Sequence, residues 1–206
     1  PADASFITIA SDSAVFAVAG TCNENTATVV IKITGTQATG QSVITCDGVN
    51  FAGTINTTGY GDATFAFTAE ITDSASNTGV SASNSVTKDT VLPSVAITTP
   101  ATSTYINIAN DSATFTVSGT CNENTETVDI KIDGVAATTP AGFVCDGTNF
   151  SGTIDSTGIS EGVFAMTAEL SDASANTATS TSISITKDSV APTIAITTPA
   201  DTTLIG

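Results

Sequence analysis

The sequence Gly-Thr-Cys-Asn-Glu-Asn-Thr occupies residues 20–26 and occurs again without change at residues 119–125. The offset of 99 residues extends outward over the chain, because an ungapped alignment of 1–99 with 100–198 gives 55 identical positions. A unit of this length can form its own hydrophobic core, and it is longer than the repeats of solenoid proteins. The sequence therefore predicts two tandem domains rather than one continuous superhelix.

Apolar and polar residues alternate within each copy. In the second copy, Phe115 and Val117 alternate with Thr114, Thr116 and Ser118. A period of two residues is typical of a strand with one buried face. Short strands of this kind, with turn signals roughly every ten residues, indicate antiparallel β-sandwiches. The predicted fold class is therefore all-β.

Each copy contains two cysteines at the same spacing. The chain has no histidine, and the cysteines lack the close pairing of zinc sites. We predict one disulfide within each copy, with buried free thiols as the alternative. Disulfides indicate an oxidising compartment. The predicted bonds are Cys22–Cys46 and Cys121–Cys145.

The chain is strongly acidic, with 20 Asp and Glu residues against four basic residues and a net charge of −16. Nucleic acids and anionic lipid headgroups are bound mainly by Lys and Arg, so neither is a good candidate partner. Divalent cations are better candidates. The sequence also lacks an apolar run near the roughly 18 residues that span a bilayer, which predicts no membrane-spanning segment.

Residues 88–93 (Lys-Asp-Thr-Val-Leu-Pro) and 187–192 (Lys-Asp-Ser-Val-Ala-Pro) each lead into a segment that ends in Ile-Thr-Thr-Pro-Ala. Together with the Gly-Thr-Cys-Asn-Glu-Asn segments, they resemble the bacterial immunoglobulin-like repeats of large surface adhesins and extracellular fibre proteins. The resemblance implies two tandem immunoglobulin-like antiparallel β-sandwiches, a cell-surface or extracellular location and a role in cell adhesion. One loop departs from the family, because Ser76 and Ala175 stand where glycine, the residue best suited to positive φ, is expected.

The repeat also predicts the domain boundaries. Residues 1–90 form the first repeat, whose first strand is missing or supplied by another segment, and 91–189 form the second. Residues 190–206 are either the first strand of a third repeat or a donor strand for a neighbouring molecule. Within this segment, the residues predicted to take part in strand addition are Val190, Ile194 and Ile196. The expected partners are copies of the same chain or adjacent repeats of the same protein.

Polar loops near the joint between the repeats are candidates for a calcium site. In an immunoglobulin-like topology the loops after the second and sixth strands lie at one pole, together with the incoming linker. Their carboxylates and amides are the hard oxygen ligands that Ca²⁺ prefers. The alternative is that these loops are hydrated and that Asp and Asn only shape the turns. The candidate ligands are Asp89, Glu123, Asp172 and Asn176.

The sequence predicts no enzyme and no catalytic residue. The segment 158–162 matches the G-x-S-x-G pattern of a hydrolase elbow, but the chain has no histidine to act as base, so a turn between strands is expected. The expected function is a structural module, either the stalk of a repetitive cell-surface adhesin or the subunit of a filament assembled head to tail. The alternative is a glycan- or protein-binding adhesion domain, for which Tyr60, Tyr105 and one phenylalanine are the candidate exposed aromatic residues.

Overall fold

The computed structural model describes residues 2–138 and 142–198, and within these ranges the chain forms strands and no helix. The described residues form two compact units. The first runs to Pro93 and includes Ser171–Thr177, and the second contains Ser94–Leu170 and the residues from Ala178 onwards. Each unit has two β-sheets around its own hydrophobic core, which confirms the predicted all-β fold of two tandem sandwiches.

The first unit is built from two sheets of unequal size. One sheet has the strand order β1-β8-β6-β3-β4, with β7 paired to β6, and the other consists of β2 and β5. The strands β1 and β8 are parallel, and the other pairs are antiparallel. The strands are β1 (Ser5–Ile7), β2 (Phe16–Thr21), β3 (Val29–Ile33), β4 (Thr36–Gln37), β5 (Asn50–Ile55), β6 (Ala63–Thr72), β7 (Thr78–Val80) and β8 (Asn84–Lys88).

The second unit repeats this arrangement with two strands added, one in each sheet. The larger sheet has the order β10-β18-β16-β12-β13, with β14 paired to β12 and β17 to β16, and the smaller sheet has the order β15-β11-β9. The strands are β9 (Val95–Thr99), β10 (Thr104–Asn107), β11 (Phe115–Cys121), β12 (Thr127–Ile132), β13 (Val135–Ala136), β14 (Phe143–Val144), β15 (Asn149–Ile154), β16 (Gly162–Ser171), β17 (Thr177–Thr179) and β18 (Ile183–Asp188).

The predicted alternation places the apolar residues of each strand inside the sandwich. In β3, Val29, Ile31 and Ile33 are buried, whereas Val30 and Lys32 are half-buried. Equivalent positions of the two repeats form the two cores, because the same alternation recurs at the offset of 99 residues. Examples of these equivalent pairs are Ile7 and Ile106, Val18 and Val117, Ile55 and Ile154, and Phe67 and Met166.

Both predicted disulfides are present. Cys22 is bonded to Cys46 and Cys121 to Cys145, with a Cα–Cα distance of 6.0 Å and a sequence separation of 24 residues in each case. All four cysteines of the chain are therefore oxidised, and the free-thiol alternative is excluded. Each bond is part of the core of its own unit.

A buried lysine at the end of the last strand of each repeat was not predicted from the sequence. Lys88 Nζ lies 2.7 Å from Asp12 Oδ2 and donates to the backbone oxygen of Thr57 at 2.9 Å. In the second unit, Lys187 Nζ lies 2.9 Å from Asp111 Oδ2 and donates to the backbone oxygen of Ser156 at 2.8 Å. Both lysine side chains are only 3% exposed. A buried charge needs such pairing because the core cannot solvate it.

The carboxylates of these buried pairs are held in their charged form. Burial raises the pKa of Asp12. The hydrogen bonds from Lys88 and Thr57, together with the lysine charge, lower this pKa by more than burial raises it, so the net change is downward. Hydrogen bonds from Ser156 and Lys187 lower the pKa of Asp111. Because the folded-state pKa lies below the unfolded value of about 4, this stabilisation is complete above that pH and is lost as the pH falls through the folded-state pKa.

We predict that the disulfide of either repeat contributes about 3 kcal/mol to the free energy of unfolding, as expected for closing a loop of this length. Replacing Cys121 and Cys145 by alanine should lower the urea midpoint of the second unit by a corresponding amount. The matched variant lacks Cys22 and Cys46, whose loop has the same separation of 24 residues, and it should show a similar loss. A loss below about 1 kcal/mol in both variants would contradict this entropic account.

We also predict that the two lysines of the second unit contribute differently to the free energy of unfolding. Lys187→Met removes the buried cation and leaves its carboxylate and carbonyl partners unpaired. We expect the free energy of unfolding, measured by chemical denaturation, to fall by about 3 kcal/mol. Lys131→Met removes the same charge from a pair with Glu169 whose side chains are 27% and 29% exposed, and it should cost less than about 1 kcal/mol. Equal losses would show that burial does not decide the contribution of these ion pairs.

Candidate functional site: an open sheet edge in the first repeat

The second unit shows how a complete smaller sheet is arranged. On one side, β11 pairs with β15 from Phe115↔Ile154 to Thr120↔Asn149. On the other side, β11 pairs with β9, where Thr120 lies opposite Ala96 and Cys121 opposite Val95. The backbone groups on both sides of β11 are therefore used by neighbouring strands.

The equivalent strand of the first unit is paired on one side. β2 pairs with β5 from Phe16↔Ile55 to Thr21↔Asn50, and across residues 2–138 and 142–198 no strand pairs with its other side. The Cys22 amide donates to Val49 at 2.9 Å, so the Thr21 amide before it points to the opposite side. We call this side of β2 the open edge. An open edge presents unused backbone donors and acceptors to another strand.

The open edge also leaves part of the first core uncovered. Ala69 and Ile71 on β6 are half-buried, whereas their equivalents Ala168 and Leu170 on β16 are 0% and 1% exposed. In the second unit, Val95 and Ile97 of β9 pack against the core. A strand at this edge therefore has two effects, which are to pair with the backbone and to cover apolar side chains.

The uncovered region is a groove of about 480 Å³ between the two sheets of the first unit. Residues from both sheets line this groove. Val18, Phe51 and Phe67 are buried, Ala69 and Ile71 are half-buried, and Val80 is 61% exposed.

Strands β2 and β11 each contain a glycine at an equivalent position, Gly20 and Gly119, where a neighbouring backbone can come close. A Cβ atom on Gly119 would lie 2.0 Å from the backbone oxygen of Ala96, so a larger residue is incompatible with the observed position of β9. The three atoms nearest to a Cβ atom on Gly20 all belong to the ring of Phe51, the closest at 2.6 Å. The open edge therefore has the same clearance for a strand that β11 uses for β9.

The predicted strand-addition segment lies outside any sheet. Residues 189–198 form no strand, and Ile194 and Ile196 are 97% and 84% exposed. Val190 is also exposed. The remainder of that predicted segment, 199–206, lies outside the described residues. The first unit thus has an apolar groove, and the chain has an apolar segment that is not packed.

The candidate calcium ligands of the first unit take part in hydrogen bonds with one another. Asp89 Oδ2 accepts a hydrogen bond from Ser174 at 2.8 Å. The Asn176 side-chain nitrogen donates to the backbone oxygen of Asp89 at 3.0 Å and to Asp172 Oδ2 at 2.9 Å, and its oxygen accepts from the Ile9 amide at 3.0 Å. Three of the four candidate ligands, Asp89, Asp172 and Asn176, are therefore brought together by direct hydrogen bonds.

The same loop in the first repeat has the same internal hydrogen bonds. Asp73 accepts from the amides of Ala75 and Asn77 and from the Asn77 side chain, all at 2.8 Å, and the Asn77 bonds lower the pKa of Asp73. Ser76 and Ala175 have φ values of 69° and 66°, so the positions at which glycine was expected do adopt positive φ. Asp and Asn shape this turn in both repeats.

The fourth candidate ligand, Glu123, belongs to the second unit. Among the residues that the structure describes, no group of three or more His, Cys, Asp or Glu side chains is placed to hold a metal ion. The calcium site stays a prediction.

No described helix is long and apolar enough to cross a membrane. Neither a protein-family model nor a curated protein matches the chain.

Several solved structures resemble the chain. The fibronectin(III)-like modules of CbhA from Clostridium thermocellum match 92% of this chain and 90% of their own, with a TM-score of 0.51 and 14% identity. A Ca²⁺-stabilized adhesin that helps an Antarctic bacterium bind ice matches 96% of this chain and 54% of its own, with a TM-score of 0.49 and 22% identity. A 1.5-MDa bacterial ice-binding adhesin matches 90% and 61%, with a TM-score of 0.47 and 21% identity. At such identity, the likeness to the fibronectin(III)-like modules shows the fold alone, which is that of tandem immunoglobulin-like sandwiches.

Proposed function

We propose that the chain is an extracellular structural module, either part of the stalk of a repetitive bacterial surface adhesin or the subunit of a filament assembled head to tail. One observation carries this proposal, namely that both repeats contain the same stabilising elements at equivalent positions. These elements are the disulfide, the buried lysine pair and the half-buried pair between β3 and β6 or between β12 and β16. Because each repeat contains its own stabilising disulfide and ion pairs, repeats of this kind are suited to forming an elongated stalk or fibre.

The disulfides support the proposed extracellular location. Disulfides form and persist in oxidising compartments such as the cell surface and the extracellular space, and all four cysteines of this chain are bonded. The buried lysines Lys88 and Lys187 have a structural role, because each forms an ion pair within its own unit. We therefore propose no catalytic role for any residue.

The alternative function is a glycan- or protein-binding adhesion domain. Glycan sites use exposed aromatic rings, and Tyr60 does not provide one, because it packs edge-on against Phe65 with ring centroids 5.6 Å apart. Phe6 and Tyr105, which occupy equivalent positions of the two repeats, are 46% and 62% exposed. These two residues are therefore the ones to examine for ligand binding.

Stretching single molecules tests the structural role. We expect two separate unfolding events per chain, each followed by refolding after relaxation. Each disulfide locks a loop of 24 residues, so reduction should lengthen the chain released in each event by on the order of 85 Å. A chain that extends without cooperative unfolding events would contradict a role in bearing tension.

A glycan array tests the alternative with the same protein. The structural proposal predicts no glycan that is retained by the wild type and lost in a Phe6→Ala, Tyr105→Ala double variant. The matched control is Val43→Ala, at a position in the first repeat that is 88% exposed. Glycan binding that is lost in the aromatic variant and kept in the control would favour the adhesion domain instead.

Calcium binding is a separate proposal that rests on Asp89, Glu123, Asp172 and Asn176. If these residues hold Ca²⁺, the melting temperature should rise with millimolar calcium and fall again with chelator, because a ligand that binds only the folded state stabilises it. The rise should disappear in Asp172→Asn, which keeps the size of the side chain and removes its charge. A melting temperature that does not respond to calcium or chelator would remove this proposal.

A further inference from the structure

We propose that the groove at the open edge of the first repeat is a docking site for residues 190–198 of a second copy of this chain, which add to β2 as an extra antiparallel strand. This inference rests on the proposed function as a structural module, and it specifies the surface through which copies of the module would join. The second unit contains the completed form of this site, in which β9 pairs with the equivalent strand β11.

The segment that fills the equivalent groove in the second unit is similar in sequence to residues 190–198. Residues 91–99 read Val-Leu-Pro-Ser-Val-Ala-Ile-Thr-Thr, and 190–198 read Val-Ala-Pro-Thr-Ile-Ala-Ile-Thr-Thr, with six of nine positions the same. The two positions that face the core in β9, Val95 and Ile97, are Ile194 and Ile196 in the later segment. The chain thus contains a second strand with the side chains that such a groove accepts.

The register of the docked strand can be taken from the pairing of β9 with β11. Gly119, Thr120 and Cys121 lie opposite Ile97, Ala96 and Val95. An offset of 99 residues converts these pairs to Gly20 with Ile196, Thr21 with Ala195, and Cys22 with Ile194. In this register the two isoleucines enter the groove beside Ile71.

The physical forces at the two surfaces favour this contact. Ile194 and Ile196 are 97% and 84% exposed in the chain as it stands, and the groove is lined mainly by apolar side chains. Burying exposed apolar side chains is favourable, and β2 offers unused backbone groups for a ladder of hydrogen bonds. Residues 190–198 carry no charged side chain, so the net charge of −16 does not act through the docking strand itself.

Sedimentation velocity of the full chain over a range of concentrations tests the proposal. We expect oligomers that grow with concentration, because each copy carries one groove and one strand. Ile196→Asp should make the protein monomeric, since a carboxylate would have to enter the apolar groove. The matched control is Val43→Asp, which adds the same charge at a position that is 88% exposed and outside both the groove lining and the docking segment, and it should assemble like the wild type.

Engineered cysteines test the register directly. Thr21→Cys combined with Ala195→Cys should give covalent ladders between copies under oxidising conditions, because directly opposed residues of paired strands have nearby Cβ atoms. Thr120→Cys with Ala96→Cys is the positive control, because those residues are paired within one chain. Thr64→Cys with Ala195→Cys is the negative control, because Thr64 lies on β6 opposite Thr87, away from the open edge.

A wild-type protein that stays monomeric at every concentration would overturn the proposal. Assembly that persists unchanged in Ile196→Asp, or a Thr21–Ala195 pair that cross-links no better than the Thr64 control, would also overturn it. These results are distinguishable from failure of the proposed function, because the stretching experiment is made on single molecules and needs no contact between copies.

Discussion

The pairing of β9 with β11 determines how completely a repeat of this chain encloses its core. Where the pairing is present, in the second unit, Leu170 and Ala168 are almost fully buried. Where β2 has no such neighbour among the described residues, the equivalent Ile71 and Ala69 are half-buried and a groove opens beside them. One edge strand therefore supplies both backbone hydrogen bonds and the cover of the core.

The boundary between the two sequence copies is therefore shifted by one strand from the boundary between the two folded sandwiches. Residues 91–99 belong to the first copy by alignment, but β9 within them completes the second unit. Residues 190–198 align with 91–99 at the same offset, and they pair with no strand among the described residues. A module built in this way offers a groove at one place and a strand at another, which is the property that our proposed contact between copies uses.

The other supports of the fold work within each unit. The chain has only four basic residues, all of them within the described ranges, and each forms an ion pair. The buried pairs of Lys88 and Lys187 connect the last strand of each repeat to the loop before β2 or β11. With the disulfide in each core, they connect elements of each sandwich in addition to the apolar contacts.

Much of this structure could be predicted from the sequence, because its causes are local and repeated. The alternation of apolar residues predicted the strands, and equal cysteine spacing in two copies predicted the disulfides. The buried position of Lys88 was missed, although Val86 two residues earlier on the same strand is buried and predicts that Lys88 points inward. The immunoglobulin-like topology predicted that Asp89 and Asn176 lie close together, as their hydrogen bond shows. The hydrogen bond from the Ile9 amide to Asn176 could not be predicted, since no pattern in the sequence links these two residues.

Hydrogen exchange at two equivalent threonines tests the central claim that an edge strand completes the sandwich. Thr21 and Thr120 both lie between Gly and Cys, and Thr120 is paired with Ala96 on β9, whereas Thr21 faces the open edge. At a concentration at which the chain is monomeric, our account predicts that the Thr21 amide exchanges much faster than the Thr120 amide. It also predicts that adding a peptide of residues 190–198 slows exchange at Thr21 and leaves Thr120 unchanged. Equal protection of the two amides in the monomer, or no response of Thr21 to the peptide, would contradict it.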